Sequence, residues 1–595
     1  MWTASTGPPG PPSSGSPCTS EAWRPGAPRG PGAWVRQVAS RAVPADSPIT
    51  PLSAALARAA SAVTGSADAV AVLEPPANAE FGDLATNVAM TLAKQAKRTP
   101  REIADELVAR IESTDGLAGY VQSAEVAGPG FINLTLNPTW FADAARAIAE
   151  AGDDYGRGQA DPRERILIEF VSCNPTGPPH VGHARQAAYG DGVARILAYA
   201  GHEVTREFYV NDWGRQMELF GTSVAARYGQ LLGLATEVPE DGYQGEYVTA
   251  IAERLREDVG DQYRDRTDPP DAEVLALFAL RGKELMLATI TEEIARFRVR
   301  FDDFFSETTL HEGGAVERGL EALIASGDAY EHDGALWVRT TAYGDEKDRV
   351  LRRSDGSTTY LAADVAYHLD KAGRGDDRLL DVLGADHHGY IARLRAVIAA
   401  GGHDPDMLEV PIVQLVSLTE GGEARRMSKR AGTLVTLGEL IDDIGVDAAR
   451  FFLVQRSHET AFDLDLDVAR AEGNENPVYY IQYAHARIAG ILAQQSEAPP
   501  DAGPPREIDP AERALLLQLA LWPEVVRAAE ERRSPHRVAA YLMDLARDFH
   551  AFYHRCRVVG EAPEVVAFRL DLLRATRSVI TTGLDLIGVE APDRM

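Results

Sequence analysis

Cysteine is scarce in this chain, and long apolar runs are absent. The three cysteines, Cys18, Cys173 and Cys556, are scattered without CxxC spacing, so neither a disulfide framework nor a cysteine-rich zinc site is predicted. The apolar stretches fall well short of the ~20 consecutive residues that a membrane helix requires. We therefore expect a soluble, cytoplasmic protein that binds neither zinc nor a membrane.

Lysine is also rare, and negative charge is in excess. The 60 basic residues include lysine only at positions 94, 97, 283, 347, 371 and 429, and the net charge is −29. An acidic total argues against non-specific binding to nucleic acid. It does not exclude an enzyme that acts on a particular RNA, because such an enzyme needs only a local basic surface.

The chain of 595 residues is long enough for several domains. Its first segment is rich in proline, glycine and serine in low-complexity order, which predicts a disordered, non-essential tail. Strand and helix patterns alternate after it, and the last part is nearly all helical. The predicted boundaries are a tail over 1–46, a small α/β domain over 47–137, a larger α/β domain over 140–465 with a helical insertion at about 221–340, and a helical bundle over 466–595.

The stretch NPTGPPHVGHAR (174–185) is the first candidate functional motif. It follows RILIEFV (165–171), which predicts a strand, and its prolines and glycine predict a turn before a helix that begins near His180. A helix N-terminus at such a turn is a favoured binding place for phosphate. His180 and His183 share one face of that helix. Three interpretations remain open at this point: metal ligands, ordinary capping and packing residues, or donors to a phosphoryl group in a transition state.

Two further stretches have the composition of a ligand site. RRMSKRAGTLVTL (425–437) is a basic loop between a predicted strand and a predicted helix, and such a loop can close over a triphosphate or simply form a solvated turn. In VLGADHHGYIARL (382–394), a predicted strand ends just before Asp386 and His387. Open α/β sheets bind ligands beyond the carboxyl ends of their strands, so these two side chains are expected at the site.

Carboxylates also accumulate near the predicted site. Tyr360 and Asp364 are four residues apart on one predicted helix and share a face, and Glu169 ends the strand that precedes the histidines. Because carboxylates repel phosphate, their presence indicates either a metal or a cationic substrate. A planar guanidinium is the cation that paired carboxylates recognise best. Each acid taken singly is also consistent with an N-cap or a surface salt bridge.

These motifs together resemble a known family. HVGH and MSKR, on the two halves of one α/β sheet, are similar to the signature pair of class I aminoacyl-tRNA synthetases. The resemblance narrows to the bacterial type of arginyl-tRNA synthetase through the stretches NPTGPPHVGHAR, FYVNDWGRQ, LGADHHGY, MSKRAGTLVTL, NPVYYIQYAHAR and GVEAPDRM, with FGDLATNVAM and VAGPGFINL near the start. It covers about residues 50–595. It implies an α/β protein with a Rossmann-like catalytic domain, an N-terminal α/β domain that binds tRNA, and a C-terminal all-α bundle that binds the anticodon.

The resemblance implies an arginine–tRNA ligase. Such an enzyme forms arginyl-adenylate and pyrophosphate from arginine and ATP, then transfers the arginyl group to the 3′ end of tRNA-Arg. The first step in this family generally needs tRNA. ATP would bring Mg²⁺ as part of the substrate, with no tightly bound protein metal, and the enzyme is expected to be a monomer.

The resemblance also assigns roles by matched position. The residues implied in catalysis are His180, His183 and Lys429. Those implied in ATP binding are Pro179, His180, Val181, Gly182, His183, Arg426, Met427, Ser428, Lys429 and Arg430. Three of them depart from the family pattern: Pro179 stands where a leucine is more usual, Arg426 replaces a lysine and Arg430 replaces a serine. Activity is still expected because Arg426 keeps the positive charge of the lysine.

The remaining roles concern arginine and tRNA. The residues implied in arginine binding are Glu169, Asn174, Tyr360, Asp364, Asp386 and His387. The candidates for tRNA contact are Phe81, Asn87, Tyr541, His550, Tyr553, Arg557 and Met595. Aromatic and arginine side chains are preferred in this second set because single-stranded bases stack on them.

Three other functions are consistent with parts of the sequence. A nucleotidyltransferase would use the same histidine motif but leaves the last ~125 residues unexplained. A catalytically silent synthetase relative would bind RNA only, yet it would have no physical reason to keep HVGH and Lys429. A metalloenzyme that uses the two histidines with Asp386, His387 and His388 would keep a metal-dependent activity after Lys429→Ala.

Overall fold

The N-terminal domain is a three-stranded antiparallel sheet covered by helices. The computed structural model describes residues 47–425, 435–495, 497, 499 and 503–595, so the tail predicted over 1–46 lies outside the described residues. The strand order is β1-β3-β2. Its elements are α1 (Ile49–Thr64), β1 (Leu84–Thr86), α2 (Val88–Ala96), α3 (Pro100–Arg110), β2 (Val121–Ala127), β3 (Phe131–Leu136) and α4 (Pro138–Ala151). Helix α3 begins where the sequence says it should, because Thr99 and Glu102 form a reciprocal cap ahead of Pro100.

The large central domain contains the longest run of alternating strands and helices. Its elements are β4 (Arg165–Glu169), α5 (Val181–Ala200), β5 (Glu203–Val210), α6 (Arg215–Leu231), α7 (Glu246–Val259), α8 (Ala272–Arg296), β6 (Asp303–Ser306), α9 (Glu307–Glu312), α10 (Ala315–Ser326), β7 (Ala329–His332), β8 (Ala335–Val338), β9 (Arg349–Arg352), α11 (Tyr360–Gly373), β10 (Arg378–Asp381), β11 (Leu383–Gly384), α12 (Ile391–Ala400), β12 (Leu408–Glu409), β13 (Ile412–Val413), β14 (Val416–Glu420), β15 (Glu423–Ala424), α13 (Leu437–Ile444), α14 (Val446–Val454), β16 (Phe462–Asp465) and α15 (Leu466–Arg470).

A parallel five-stranded sheet forms the core of this domain. Its order is β12-β10-β4-β5-β6, and each neighbouring pair is parallel. The middle of β4 is buried on both faces, as its continuous apolar run predicts. The chain runs outward from β4 through β5 to β6 and later returns to the other side of β4 as β10. The carboxyl ends of β4 and β10 therefore mark the point where the strand order reverses, the usual ligand site of such sheets.

The predicted insertion is wrong at its second boundary. The insertion predicted at about 221–340 contains β6 (Asp303–Ser306), yet β6 pairs with β5 as an edge strand of the main sheet. Helices α6–α8 account for the helical signal. The misplacement arises because β6 is only four residues long and follows a long charged helix, so its pattern is too short to register.

The C-terminal part is the predicted helical bundle. Its helices are α16 (Pro477–Gln494), α17 (Pro510–Ala520), α18 (Trp522–Glu531), α19 (His536–Arg555) and α20 (Pro563–Leu586). The bundle is joined to the rest by buried polar contacts: Trp522 Nε1 donates to the carbonyl of Tyr155 at 3.0 Å, and Arg513 pairs with Asp83 at 2.7 Å. Among the described residues, no helix combines the length and apolar character needed to cross a membrane.

Candidate active site

The turn that follows β4 holds an unusual backbone. Val171 and Ser172 both have positive φ, 71° and 39°, a conformation that costs a residue with a Cβ about 1–3 kcal/mol. Ser172 compensates with its side chain, whose hydroxyl donates to Glu169 at 2.8 Å and accepts from the backbone N–H of Tyr209 at 3.2 Å. The strained turn redirects the chain from the end of β4 toward the start of α5.

The two histidines meet at the N-terminus of α5. Their rings are stacked, with centroids 3.8 Å apart and planes inclined by 22°. His180 Nδ1 accepts the N–H of Gly182 at 3.1 Å, and His183 Nδ1 accepts the N–H of His180 at 3.2 Å. A neutral imidazole whose Nδ1 accepts carries its proton on Nε2. The capping interpretation is therefore correct in geometry, and the cap itself fixes both rings as Nε2–H donors at a helix N-terminus.

Gly182 is required by the packing of this pair. A Cβ at position 182 would lie 2.9 Å from Cε1 and 3.1 Å from Nδ1 of His180. Any larger residue would therefore push the His180 ring out of its stack. The glycine of HVGH makes room for the first histidine, in addition to any contact that it makes with a ligand.

Residues 435–437 pair with the histidine motif. The N–H of Val181 donates to the carbonyl of Val435 at 3.1 Å, and the N–H of Leu437 donates to the carbonyl of Pro179 at 2.8 Å. The residues implied in ATP binding on the basic loop lie outside the described residues, namely Arg426, Met427, Ser428, Lys429 and Arg430. The described chain fixes the exit of that loop beside His180 and its entrance at Arg425, whose N–H bonds to Leu418.

A group of acids lies near the carboxyl ends of the strands, where Glu307 directly follows β6. Asp364 is half-buried on α11, and burial raises its pKa. Glu307, the first residue of α9, is buried; burial first, and then the charges of Asp364 and Asp212, raise the pKa of Glu307 to about 7. Tyr209 is close enough to Glu307 to hydrogen-bond to it. The group can hold a cation, because two partly desolvated carboxylates of like charge are stabilised when one arrives.

Glu169 belongs to a buried network beneath those acids. Its carboxylate accepts from Ser172, and also from Tyr367 OH and Lys371 Nζ, both at 2.8 Å. Lys371 is fully buried and donates as well to Asp381 at 2.5 Å. Burial alone would lower the pKa of Lys371, but the carboxylates of Asp381 and Glu169 outweigh it and hold that pKa above its usual range. Three donor groups thus already lie against Glu169, although the single hydroxyl proton of Tyr367 is shared with Glu207 at 2.6 Å. The ammonium group that pairs with Glu169 belongs to the protein itself.

The other predicted arginine-binding residues surround the acids at the surface. Tyr360 opens α11 and is 79% exposed. Asn174 is exposed and donates to Gln216 at 2.6 Å. Asp386 and His387 follow β11, with their side chains 3.5 Å apart, and the electrostatic field of His387 reaches Asp364. The structure therefore brings these four residues to one end of the sheet with Asp364. The described residues contain no group of three or more histidine, cysteine and acidic side chains that could hold a metal ion.

The predicted tRNA contacts divide into exposed and buried residues. Phe81 is 54% exposed, and Asn87, Arg557, Tyr553 and Met595 are also at the surface. Tyr541 is a correction: it is completely buried, and its hydroxyl donates to the carbonyl of Gln518 at 2.9 Å. His550 is a second correction, since its ring is buried against Tyr480, 4.5 Å between centroids. Both residues face the interior of the bundle, where a base cannot reach them.

A cation–aromatic cluster on the bundle was missed. The guanidinium of Arg487 lies between two tyrosine rings, 4.2 Å from the centroid of Tyr483 and 4.4 Å from that of Tyr553. Arg487 also donates to Tyr483 OH at 2.6 Å. The spacing of Tyr483 and Arg487, one helical turn apart on α16, was the signal available in NPVYYIQYAHAR. Such a planar stack is a suitable surface for an unpaired base.

Lys371 and Glu307 were also missed as members of the site. Glu307 directly follows β6, so the rule about carboxyl ends of strands applies to it, but the strand itself was not recognised. Lys371 gave no distinct signal, because a lysine in the last turn of a helix is ordinary. Only the approach of β4 and β10 makes it a buried cation.

Comparison with known proteins gives consistent matches along the chain. Three family models match: "Arginyl tRNA synthetase N terminal domain" over residues 50–136, "tRNA synthetases class I (R), catalytic domain" over 147–247 and 282–472, and "DALR anticodon binding domain" over 481–595. The chain is 47% identical over 529 residues to an arginine–tRNA ligase of Shouchella clausii and 45% identical over 531 residues to that of Bacillus subtilis. Each alignment covers 88% of this chain and 94% of the relative.

Solved structures show the same similarity. The arginyl-tRNA synthetase of Thermus thermophilus superposes with a TM-score of 0.71 at 26% identity, covering 91% of this chain and 99% of that one. An arginyl-tRNA synthetase structure from Plasmodium falciparum, at 16% identity and a TM-score of 0.67, shares the fold over 91% of this chain and 98% of that one. The predicted fold class is confirmed.

Proposed function

Because this chain belongs to the arginine–tRNA ligase family, we propose that the switch point between β4 and β10 carries out both half-reactions of arginine–tRNA ligation. The observation that carries this proposal is that the site combines donors suited to an anion with acids suited to a cation. Two imidazole Nε2–H donors at a helix N-terminus suit a polyphosphate, and a half-buried group of carboxylates suits a guanidinium. ATP and arginine are the substrates with those two charges.

The first half-reaction is a displacement at the α-phosphorus of ATP. A carboxylate oxygen of arginine forms a bond to that phosphorus, the bond to the bridging oxygen breaks, and pyrophosphate leaves with the electron pair. The charge that grows on the phosphoryl oxygens is met by His180 and His183 through Nε2–H. Mg²⁺ arrives with ATP and neutralises part of the phosphate charge. Lys429 is proposed, from its motif, to hold the outer phosphates.

The second half-reaction transfers the arginyl group to tRNA. A hydroxyl of the terminal ribose attacks the carbonyl carbon of arginyl-adenylate, the bond from that carbon to the phosphate oxygen breaks, and AMP leaves with the electron pair. The hydroxyl proton passes to the departing phosphate or to water. The described site needs no additional group for this step, because the adenylate is already activated and needs only alignment. The histidines that held the α-phosphate are in place to stabilise it again as the leaving group.

The acids are proposed to select arginine. Asp364 and Glu307 would bind the guanidinium directly, since both are partly desolvated. The histidine nearest to Glu307 is His311, whose Nε2 lies 3.6 Å from the carboxylate; burial lowers the pKa of His311 and favours its neutral form. Glu169 would act one layer deeper, holding Lys371 and the turn at Ser172. Asn174, Tyr360, Asp386 and His387 are proposed at the outer end, near the amino and carboxylate groups of the substrate.

The tRNA would be bound by the N-terminal domain and by the C-terminal bundle. Phe81 and Asn87 on the N-terminal domain are exposed and suited to a loop of the tRNA body. On the bundle, the Tyr483–Arg487–Tyr553 stack would receive an anticodon base, and Arg557 and Met595 are further candidates because they are exposed. We propose that the protein works as a cytoplasmic monomer.

ATP–pyrophosphate exchange tests the proposed function. Purified protein, Mg²⁺-ATP and labelled pyrophosphate are incubated with each amino acid in turn, with and without tRNA of an arginine anticodon. We expect label in ATP with arginine alone, and only when tRNA is present. Exchange without tRNA would still support the ligase activity but would show that adenylate formation does not depend on tRNA. A folded protein that shows no exchange in any mixture would reject the proposal and favour a silent relative.

The arginine KM is expected to depend on pH through Glu307. Its pKa is about 7 because of burial and the charges of Asp364 and Asp212. Below that pH the carboxyl is protonated, and binding of the cationic guanidinium must expel the proton. The KM for arginine should therefore rise as pH falls below 7, by up to about tenfold per pH unit, and level off above it. Steady-state exchange between pH 5.5 and 8.5 measures this, and Glu307→Gln should raise the KM and flatten the profile; an unchanged profile in that variant would assign the titration to another group.

A further inference from the structure

Arg185 lies on α5, two residues after His183, and is buried to 1% exposure. Its guanidinium donates to four backbone carbonyls. One terminal nitrogen bonds to Gln414 at 2.6 Å and Leu415 at 3.3 Å. The other bonds to Ser457 and Thr460, each at 2.9 Å. This single side chain therefore joins three separate segments of the chain.

The partners of Arg185 are unusual for a buried cation. Within the described residues its hydrogen bonds go to carbonyl oxygens and its ion-pair partners include no carboxylate, while the ring of Phe462 lies 4.7 Å from the guanidinium. Burial lowers the pKa of Arg185 to about 10. A buried ion without a counter-charge is expensive to keep, so the planar fork and its four acceptors have to supply the compensation. Lysine has three donors on one atom and cannot span two pairs of acceptors in this way.

The four carbonyls mark the entrances of two paired strands. Residues 414 and 415 lead into β14, and residues 457–460 lead into β16, which pairs with β14 in parallel. Strand β14 then continues through β15 to Arg425. Arg185 thus fixes the sheet β15-β14-β16 against the helix that carries the histidines. In the described part of the chain, its hydrogen bonds and its aromatic contact do not involve α11, α9 or the turn at Ser172, which hold the acids of the proposed arginine pocket.

We propose that Arg185 is a positioning residue for the ATP side of the reaction: it holds the β14–β16 sheet in register with His180 and His183. This inference rests on the proposed function. It adds that different parts of the fold support the histidines proposed for ATP and the acids proposed for arginine. A substitution at position 185 should therefore impair the use of ATP and leave arginine binding unchanged. Loss of the fork would leave buried carbonyls without donors and let the sheet shift against α5. A displacement of about 1 Å at a reacting group can cost on the order of 100-fold in rate.

The test compares Arg185→Lys and Arg185→Met with a control arginine that also donates to a backbone carbonyl. Arg513→Lys serves as the control, because Arg513 bonds to Asp83 and to the carbonyl of Leu136, both in the N-terminal domain. ATP–pyrophosphate exchange gives the KM for ATP, the KM for arginine and kcat, and thermal unfolding reports folding. For Arg185→Lys we expect a fall of about tenfold or more in kcat/KM for ATP, with the KM for arginine within about twofold of wild type. Arg185→Met should lower kcat/KM for ATP further. Arg513→Lys should change neither kcat/KM for ATP nor the KM for arginine.

A double-mutant cycle separates positioning from general damage. If Arg185 acts through the histidine pair, Arg185→Lys should cost much less in a His183→Asn background than in the wild type. Equal rises in both KM values, or losses that simply add in the double variant, would overturn the role of Arg185 while leaving the ligase in place. A wild-type protein without exchange would instead remove the proposed function on which the inference depends. If Arg185→Met fails to fold, Arg185→Lys still tests the role of Arg185, through the separate changes in kcat/KM for ATP and in the KM for arginine and through the double-mutant cycle.

Discussion

Replacing His183 with asparagine is expected to slow adenylate formation by about 100- to 1000-fold at nearly unchanged stability. His183 has two separable tasks in the structure. Its Nδ1 accepts the N–H of His180 at 3.2 Å, and its Nε2 carries the proton that is proposed to meet the phosphoryl oxygens. Asparagine can place its carbonyl oxygen near the position of Nδ1 and keep the cap, but it has no donor at the position of Nε2.

The matched variant for this prediction is His183→Gln. The longer amide can bring its NH₂ group near the position of Nε2, so part of the lost rate should return. ATP–pyrophosphate exchange and thermal unfolding would be measured on both variants together with wild type. Asparagine and glutamine variants of equal, wild-type-like rate would refute the role of the ring as a donor. Equal loss of rate together with a large fall in melting temperature would show that the ring only caps the helix.

Asp364→Asn should raise the KM for arginine by about 100-fold or more and leave the KM for ATP within a few-fold of wild type. Truncating the charge of one partner in a desolvated ion pair costs about 2–5 kcal/mol, and about 3 kcal/mol corresponds to two orders of magnitude. Burial raises the pKa of Asp364 in the absence of substrate, so the neutral amide is not expected to weaken the fold. The bond from His368 to the carbonyl of residue 364 is a backbone contact and stays in place.

A control for Asp364 stands on the same helix. Asp370 is exposed and pairs with Arg374 at 2.6 Å, so Asp370→Asn changes one charge of α11 outside the proposed pocket. Exposed pairs of this kind contribute about 0–1 kcal/mol, and the KM for arginine should stay near its wild-type value. An arginine KM that is insensitive to Asp364→Asn, or as sensitive to Asp370→Asn, would place the guanidinium elsewhere.

Local elements of the fold were determined by the sequence alone. The apolar run before NPTGPP becomes β4, and the prolines and glycine become the turn before α5. The cap of Thr99 and Glu102 starts α3 at Pro100. These features depend on backbone preferences and on side chains within a few residues, so the information they need is local. The same holds for the family resemblance, whose motifs are continuous stretches.

The composition of the site was only partly readable from the sequence. His180 and His183 were identified because turn, cap and ligand coincide in one motif. Asp364 was identified because it shares a helix face with Tyr360. Glu307 was missed because its strand is short, and it meets Asp364 only after β6 joins the edge of the sheet. That strand pairing is a long-range event with little local signature.

Only the tertiary structure determined which of two side chains of the same type is buried in the core and which is available to a partner. Tyr541 and Tyr553 are on the same helix, and only the packing of the bundle makes the first a core residue and leaves the second exposed beside Arg487. Lys371 resembles any lysine at a helix end until β4 and β10 bring Glu169 and Asp381 to its ammonium group. The physical reason is common to these cases: burial and charge partners arise from segments far apart in the chain, and these determine whether a polar side chain packs, supports a neighbour or meets a ligand.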